Sequence, residues 1–258
     1  VSGSPEIAAE VLALVQRLLA LEEGLVRSRA AARALDALGP ERAALVLSVL
    51  VRRGGEEGAS IAIGAIAQAF LDPTSGLPVE WHSELYVAAQ RGGLQEVAGM
   101  LLSPPPHRAW EEPLDKADAR LAHLSLGEKK TLARVRRDPD LLSRLAAEGE
   151  PSVVRELLRN PLLTEPFAVR IASRRPIRPG TLRCLFEDRR WRTRAAVRLA
   201  LARNPYVDTG IALLLLPTLQ ARDLADIADD GALHPRVREQ AGRLAEGRGW
   251  RRGRGAGG

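Results

Sequence analysis

The chain has 258 residues, 45% of them hydrophobic but only 3% aromatic, and a formal net charge of +6. Leu, Ala and Val must therefore fill the core; Ala and Leu favour helices whereas strands draw on β-branched and aromatic residues, so composition points to an all-α fold. A single cysteine, Cys184, excludes an intramolecular disulfide and a cysteine-based zinc or iron–sulfur site, and it fits a reducing, cytoplasmic compartment.

Val1-Ser2-Gly3-Ser4 reads as a remnant of processing or cloning, and Pro5 opens the first helix, with Ile7, Val11, Leu12, Val15, Leu18 and Leu19 at helical spacing. A second helix is expected from about Leu25 to Leu38, stopped by Gly39-Pro40, and a third from Pro40 to Arg53, stopped by Gly54-Gly55. A fourth covers Glu57 to Leu71 and ends at Asp72-Pro73. The next begins near Val79 and carries Trp81, Leu85, Tyr86 and Ala89; Gly92-Gly93 separates it from a last short helix, Leu94 to Leu102. These helices form an N-terminal subdomain, 1–102. The least polar stretch, Ala59 to Leu71, falls short of the ~20 residues that a membrane span needs, so no membrane segment is expected.

Residues 103–125 break the pattern. Ser103-Pro104-Pro105-Pro106-His107 cannot be helical, because proline lacks the N–H and clashes with the preceding turn, and acidic residues follow (Glu111, Glu112, Asp115, Asp118). This is read as a Pro-rich acidic linker. The charge changes sign at its end. Residues 1–126 hold 11 Lys+Arg against 16 Asp+Glu, and residues 127–258 hold 27 against 16. Only three basic residues are Lys, an Arg excess expected of a GC-rich bacterial genome.

Residues 126–247 form a C-terminal helical subdomain with an internal repeat. Arg159-Asn160-Pro161 recurs as Arg203-Asn204-Pro205, with Arg137-Asp138-Pro139 as a degenerate copy; the prolines lie 22 and 44 residues apart. In register, Val153 matches Val197 and Leu157 matches Leu201. An apolar helix ends at Asn or Asp, proline forbids continuation, and the next helix starts a few residues later. Such a unit cannot bury its apolar face alone and must stack on neighbours. A copy expected near residue 183 lacks the proline. Residues 248–258 are Gly- and Arg-rich and are read as a disordered tail.

Val153-Val154-Arg155 through Asn160-Pro161, and Val197-Arg198 through Asn204-Pro205, resemble the HEAT-like and leucine-rich-repeat-variant families, over roughly residues 127–245. The resemblance implies an α-solenoid of stacked short helices. It also implies a group that includes scaffolds and some nucleic-acid-binding members, among them alkylpurine-glycosylase-like enzymes. Some variant-repeat proteins carry an iron–sulfur module, which a single cysteine argues against, and no motif residue carries an activity over.

Nothing in the chain assembles a catalytic pattern, and no cofactor is expected. His82, His107, His123 and His234 do not pair at ligand spacing. Adjacent carboxylates such as Glu22-Glu23 point to different helix faces, whereas Asp223, Asp226 and Asp230 share one, most simply as a solvated face. Gly127-Glu128-Lys129-Lys130-Thr131 lacks the glycines of a phosphate loop. Cys184, in the run Leu182 to Phe186, reads as a buried structural thiol.

The strongest local feature is basic. From Arg170 to Arg203 there are 11 Arg against Glu187 and Asp188. Arginine forks hold phosphate oxygens, and an interleaved aromatic suits a nucleic acid. The candidate polyanion-binding residues are Arg174, Arg175, Arg178, Arg189, Arg190, Trp191, Arg192, Arg194 and Arg198. The same pattern would also arise if the arginines were the polar face of stacked helices and Trp191 were core. The sequence therefore favours a non-catalytic helical-repeat scaffold with a protein partner. Nucleic-acid or other polyanion binding through the Arg170–Arg203 stripe stands second, and an unrecognised enzyme acting on nucleic acid third.

Overall fold

A computed structural model of the chain describes residues 5–22, 24–111 and 118–250. Among these there are 14 α-helices, one short 3-10 turn and no strand, so the protein is all-α. The residues group into two compact units: Val1–Leu102 together with Leu213–Gly258, and Ser103–Ala212. Leu213 onward thus groups with the N-terminal helices, whereas the sequence pattern places residues 126–247 together. The proline-rich segment belongs to the second unit instead of standing between two bodies.

The first unit opens with α1 (Pro5–Leu19), α2 (Leu25–Arg52), α3 (Glu57–Leu71), α4 (Trp81–Arg91) and α5 (Gln95–Met100). Glycine and proline set these bounds. Gly39 sits at φ 71°, ψ 162° inside α2, so the ladder breaks there and Pro40 restarts it, as the expected pair of helices requires. The α1, α2 and α3 helices pack on one another, and α4 and α5 close on α2. Their apolar faces meet in a core of Leu18, Leu35, Leu47, Leu50, Ile63, Ile66, Trp81 and Leu85, with Ala31, Ala43, Ala44 and Ala62 where helices come close. A chain poor in aromatics fills its core in this way, bringing backbones together over alanine.

The C-terminal part of this unit holds a 3-10 turn (Leu216–Thr218), α13 (Ala221–Asp229) and α14 (Pro235–Gly247); α12 (Thr209–Leu215) contains the division between units. Glycine lets these elements approach. A Cβ on Gly54 would lie 1.9 Å from the Pro217 carbonyl oxygen, and one on Gly99 would lie 2.2 Å from Gln240 Oε1. The Gln240 amide donates to the Glu96 carbonyl (2.7 Å), and Gln220 donates to the Gly55 carbonyl (3.0 Å). Arg248 is no part of a loose tail. Its guanidinium donates to the carbonyls of Val51 (2.7 Å), Pro217 (2.5 Å) and Leu219. Burial pushes its pKa down to about 10, so it stays charged at neutral pH. The remainder of the expected tail, residues 251–258, lies outside the described residues.

The second unit contains α6 (Leu126–Val135), α7 (Pro139–Glu148), α8 (Pro151–Leu158), α9 (Glu165–Ser173), α10 (Pro179–Glu187) and α11 (Ala195–Ala202). Ser125 and Glu128 form a capping box on α6, and proline occupies the first turn of α7, α8, α9 and α10. Packing runs from α6 to α8, from α8 to α10 and from α9 to α11. The proline-rich segment is fixed to this unit: Thr209 donates to the Pro105 carbonyl (2.9 Å), and the Arg108 amide donates to the Pro205 carbonyl (3.2 Å). Leu121 is buried, and Asp118 pairs with Arg144 (2.9 Å). The Arg120 amide and then Arg144 hold the Asp118 carboxyl below its ordinary range. Glu112 and Asp115 lie outside the described residues.

Candidate binding site

The repeat motif has a structural job. Asn160 and Asn204 are both 1% exposed. The Asn160 amide donates to the carbonyls of Ala133 (2.8 Å) and Arg136 (2.9 Å) at the end of α6, while its oxygen accepts from the Leu162 amide (2.9 Å). Asn204 repeats the pattern on the end of α9, donating to Ala172 (2.7 Å) and Arg174 (3.0 Å) and accepting from Tyr206 (3.1 Å). Each asparagine caps the exposed carbonyls of one helix from the turn that follows its packing partner. Asp138 of the degenerate copy has no donor and caps its own helix, accepting from Asp140 and Leu141.

The missing copy is explained by a swap of side chains. After α10 the turn residue is Asp188, which accepts from the Arg190 and Trp191 amides but has no amide to donate. The donors come from its neighbours instead. The Trp191 indole N–H donates to the Leu158 carbonyl (3.0 Å), and the Arg190 guanidinium donates to Leu163 (2.7 Å) and Asn160 (3.4 Å).

Most of the basic candidates are therefore tied into the fold. Trp191 is 1% exposed, and Arg190 lies over its ring at 4.3 Å. Arg175 donates to the Arg203 carbonyl. Arg178 pairs with Glu150 (2.5 Å) and lies over the Trp110 ring at 4.7 Å. Arg198 is half-buried and donates to the Thr193 carbonyl (2.9 Å), with burial lowering its pKa. Arg194 stands 3.9 Å from Glu165, Arg192 is half-buried, and Arg174 is exposed. Arg183 and Asp208 form a further pair (2.6 Å).

The structure brings Arg189 and Arg190 together with two arginines that lie outside the stripe. Arg155 on α8 and Arg159 at its C-terminal end share one helix face and border, with Arg189 and Arg190, a cavity of about 650 Å³. Its floor is Leu158 and Cys184, both buried, and its other walls are Glu187 and Asp188. The arginines sit at the C-terminal ends of α8 and α10, where a cation is favoured by the helix dipole. The Sγ of Cys184 lies 3.4 Å from the Pro151 carbonyl, and burial pushes the thiol pKa up, so this cysteine is not an activated nucleophile. Arg155 and Arg159 were visible in the repeat motif itself, but only the α8–α10 contact sets them beside Arg189.

The other chemistry-bearing residues stay apart. Among the described residues no three His, Cys, Asp or Glu side chains are grouped to hold a metal ion. His234 Nδ1 accepts from the Arg236 amide and caps α14. His82 packs edge-on against Phe70 at 5.0 Å, and burial lowers its pKa. Asp230 is the C-cap of α13 and accepts from the Ala232 amide, so it does not continue the helical face of Asp223 and Asp226. No helix among the described residues is long and apolar enough to cross a membrane. No protein-family model matches the chain, and neither a curated protein nor a solved structure matches it.

Proposed function

We propose that this chain is a non-catalytic binding module with a protein partner, and that its second unit is a short α-solenoid of the HEAT-like or variant-repeat kind. The repeated asparagine caps and the packing of alternate helices support the solenoid reading. The observation that carries the choice of partner is the fate of the basic stripe. Arg175, Arg190 and Arg198 donate to backbone carbonyls, Arg178, Arg183 and Arg194 face carboxylates, and Trp191 is in the core. A nucleic-acid surface needs arginine forks turned outward and an aromatic face open to a base. The exposure of Arg155, Arg159, Arg174 and Arg189 favours a second reading, in which a polyanion binds there.

Two assays separate them. Labelled single- and double-stranded DNA and RNA are titrated with the protein by fluorescence anisotropy between about 50 and 200 mM salt, the range over which phosphate-driven affinity collapses. The protein-binding reading expects no such salt-steep binding, and expects an array of short peptides to retain the protein selectively at the upper salt concentration. Salt-steep binding that is lost in Arg174→Glu/Arg194→Glu, with a blank array, would replace it with the polyanion reading.

A further inference from the structure

We infer that the cavity at the C-terminal ends of α8 and α10 receives a short acidic segment of a partner polypeptide, an inference that rests on the protein-binding reading above. Its rim carries Arg155, Arg159, Arg189 and Arg190 against Glu187 and Asp188, with Arg159 also paired to the neighbouring Glu156 at 3.2 Å, over a floor of Leu158 and Cys184. Asp188 is already engaged by the amides of its own turn, which leaves Glu187 as the acid facing an occupant. The cavity's 650 Å³ lies within the 300–1,000 Å³ typical of ligand clefts.

The chemistry selects the occupant. A bidentate arginine fork suits carboxylate and phosphate alike, so positive charge alone does not decide. The floor is apolar, and a segment with one aliphatic side chain flanked by carboxylates satisfies floor and rim together. A peptide also brings backbone N–H donors that the exposed Glu187 carboxylate can accept, whereas a phosphate backbone offers only acceptors. The nearby indole of Trp191 is buried and gives a base nothing to stack on. Trp191 ties the turn to the end of α8 and Arg190 ties it to the segment that follows, so the rim is held in place before anything binds, and less order has to be imposed on association.

The probe is a fluorescein-labelled peptide with a central Leu flanked on each side by glutamates, compared with its Gln-for-Glu counterpart and with a labelled single-stranded DNA of similar length. Each is titrated into the full chain, into Arg159→Glu/Arg189→Glu, and into Arg170→Glu/Arg174→Glu, which makes the same charge change at exposed positions on α9 and its end that do not line the cavity. Circular dichroism and melting confirm that each variant is folded, and Arg159→Gln/Arg189→Gln is the milder replacement. The inference expects the Glu peptide to bind about tenfold or more tightly than the Gln peptide, and expects the cavity pair to lose about tenfold while the α9 pair changes little. Equal losses in both pairs would make the effect general electrostatics and overturn the inference. A peptide array that retains the protein while the Glu peptide does not bind would overturn the cavity assignment and leave the protein-binding reading standing. DNA that outcompetes the peptide and depends on Arg159 and Arg189 would overturn both.

Discussion

Replacing Asn204 with Ala tests the joint between helices most sharply. The side chain makes three hydrogen bonds in a buried setting: two from its amide to the Ala172 and Arg174 carbonyls, and one into its oxygen from the Tyr206 amide. A net ~1 kcal/mol for each bond gives about 3 kcal/mol, with the orphaned carbonyls as the reason the loss should not fall much below that. Asn204→Asp keeps the shape and the Tyr206 bond but turns a carboxylate toward two carbonyl oxygens. It should cost more, about 4 kcal/mol at neutral pH. Its sign with pH is opposite to that of most carboxylates. The folded state favours the neutral acid, which can donate, so it binds more protons than the unfolded chain and the loss shrinks as pH falls from neutral. Urea unfolding followed by circular dichroism at pH 7 and pH 5 measures both effects. An Asn204→Ala variant within about 0.5 kcal/mol of the parent would refute the assignment of Asn204 as an inter-helix cap.

Two glycines should respond to alanine in opposite directions. Gly54→Ala places a methyl against the Pro217 carbonyl and should cost about 2 kcal/mol or more, while Gly64→Ala, in open space within α3, should stabilise by about 0.5–1 kcal/mol; urea midpoints give both. Arg248→Met keeps the apolar stem but leaves the Val51, Pro217 and Leu219 carbonyls without their donor, and the melting transition should move to lower temperature by the equivalent of about 2–3 kcal/mol. For His82 the folded pKa lies below the ordinary 6.5 because of burial beside Phe70. The unfolded chain takes up that proton first, so this contribution is intact above 6.5 and is lost as pH falls below it. Unfolding measured at pH 7.5 and 5.5 should show a smaller pH effect in His82→Phe.

The helices were legible because glycine and proline punctuate them. Pro5, Gly39-Pro40, Gly54 and the Glu57–Leu71 run all sit at or near observed bounds. Long-range pairing was not legible. Nothing in the local pattern of residues 213–250 distinguishes a helix that continues a repeat from one that packs on α2, α3 and α5. Those contacts depend on Gly54 and Gly99 admitting the Pro217 carbonyl and Gln240, which is a matter of fit and not of periodicity. The recurring cap could be read from Asn160 and Asn204, but the joint after α10 was hidden. There the capping donors sit on Trp191 and Arg190, residue types that suggested a nucleic-acid surface when seen in sequence. An arginine that caps a carbonyl and one that meets a phosphate have the same letter, and only the position of the neighbouring helix end tells them apart.

Paired alanine substitutions at Arg190 and Arg174 bear most directly on the central claim that the stripe's arginines hold the fold together. Arg190 donates to two carbonyls and covers Trp191, whereas Arg174 is exposed at the end of α9. Urea unfolding should show Arg190→Ala destabilised by about 1–3 kcal/mol and Arg174→Ala unchanged within about 0.5 kcal/mol. If both variants match the parent, Arg190 is not a structural cap, and the case against an outward-facing basic surface falls with it.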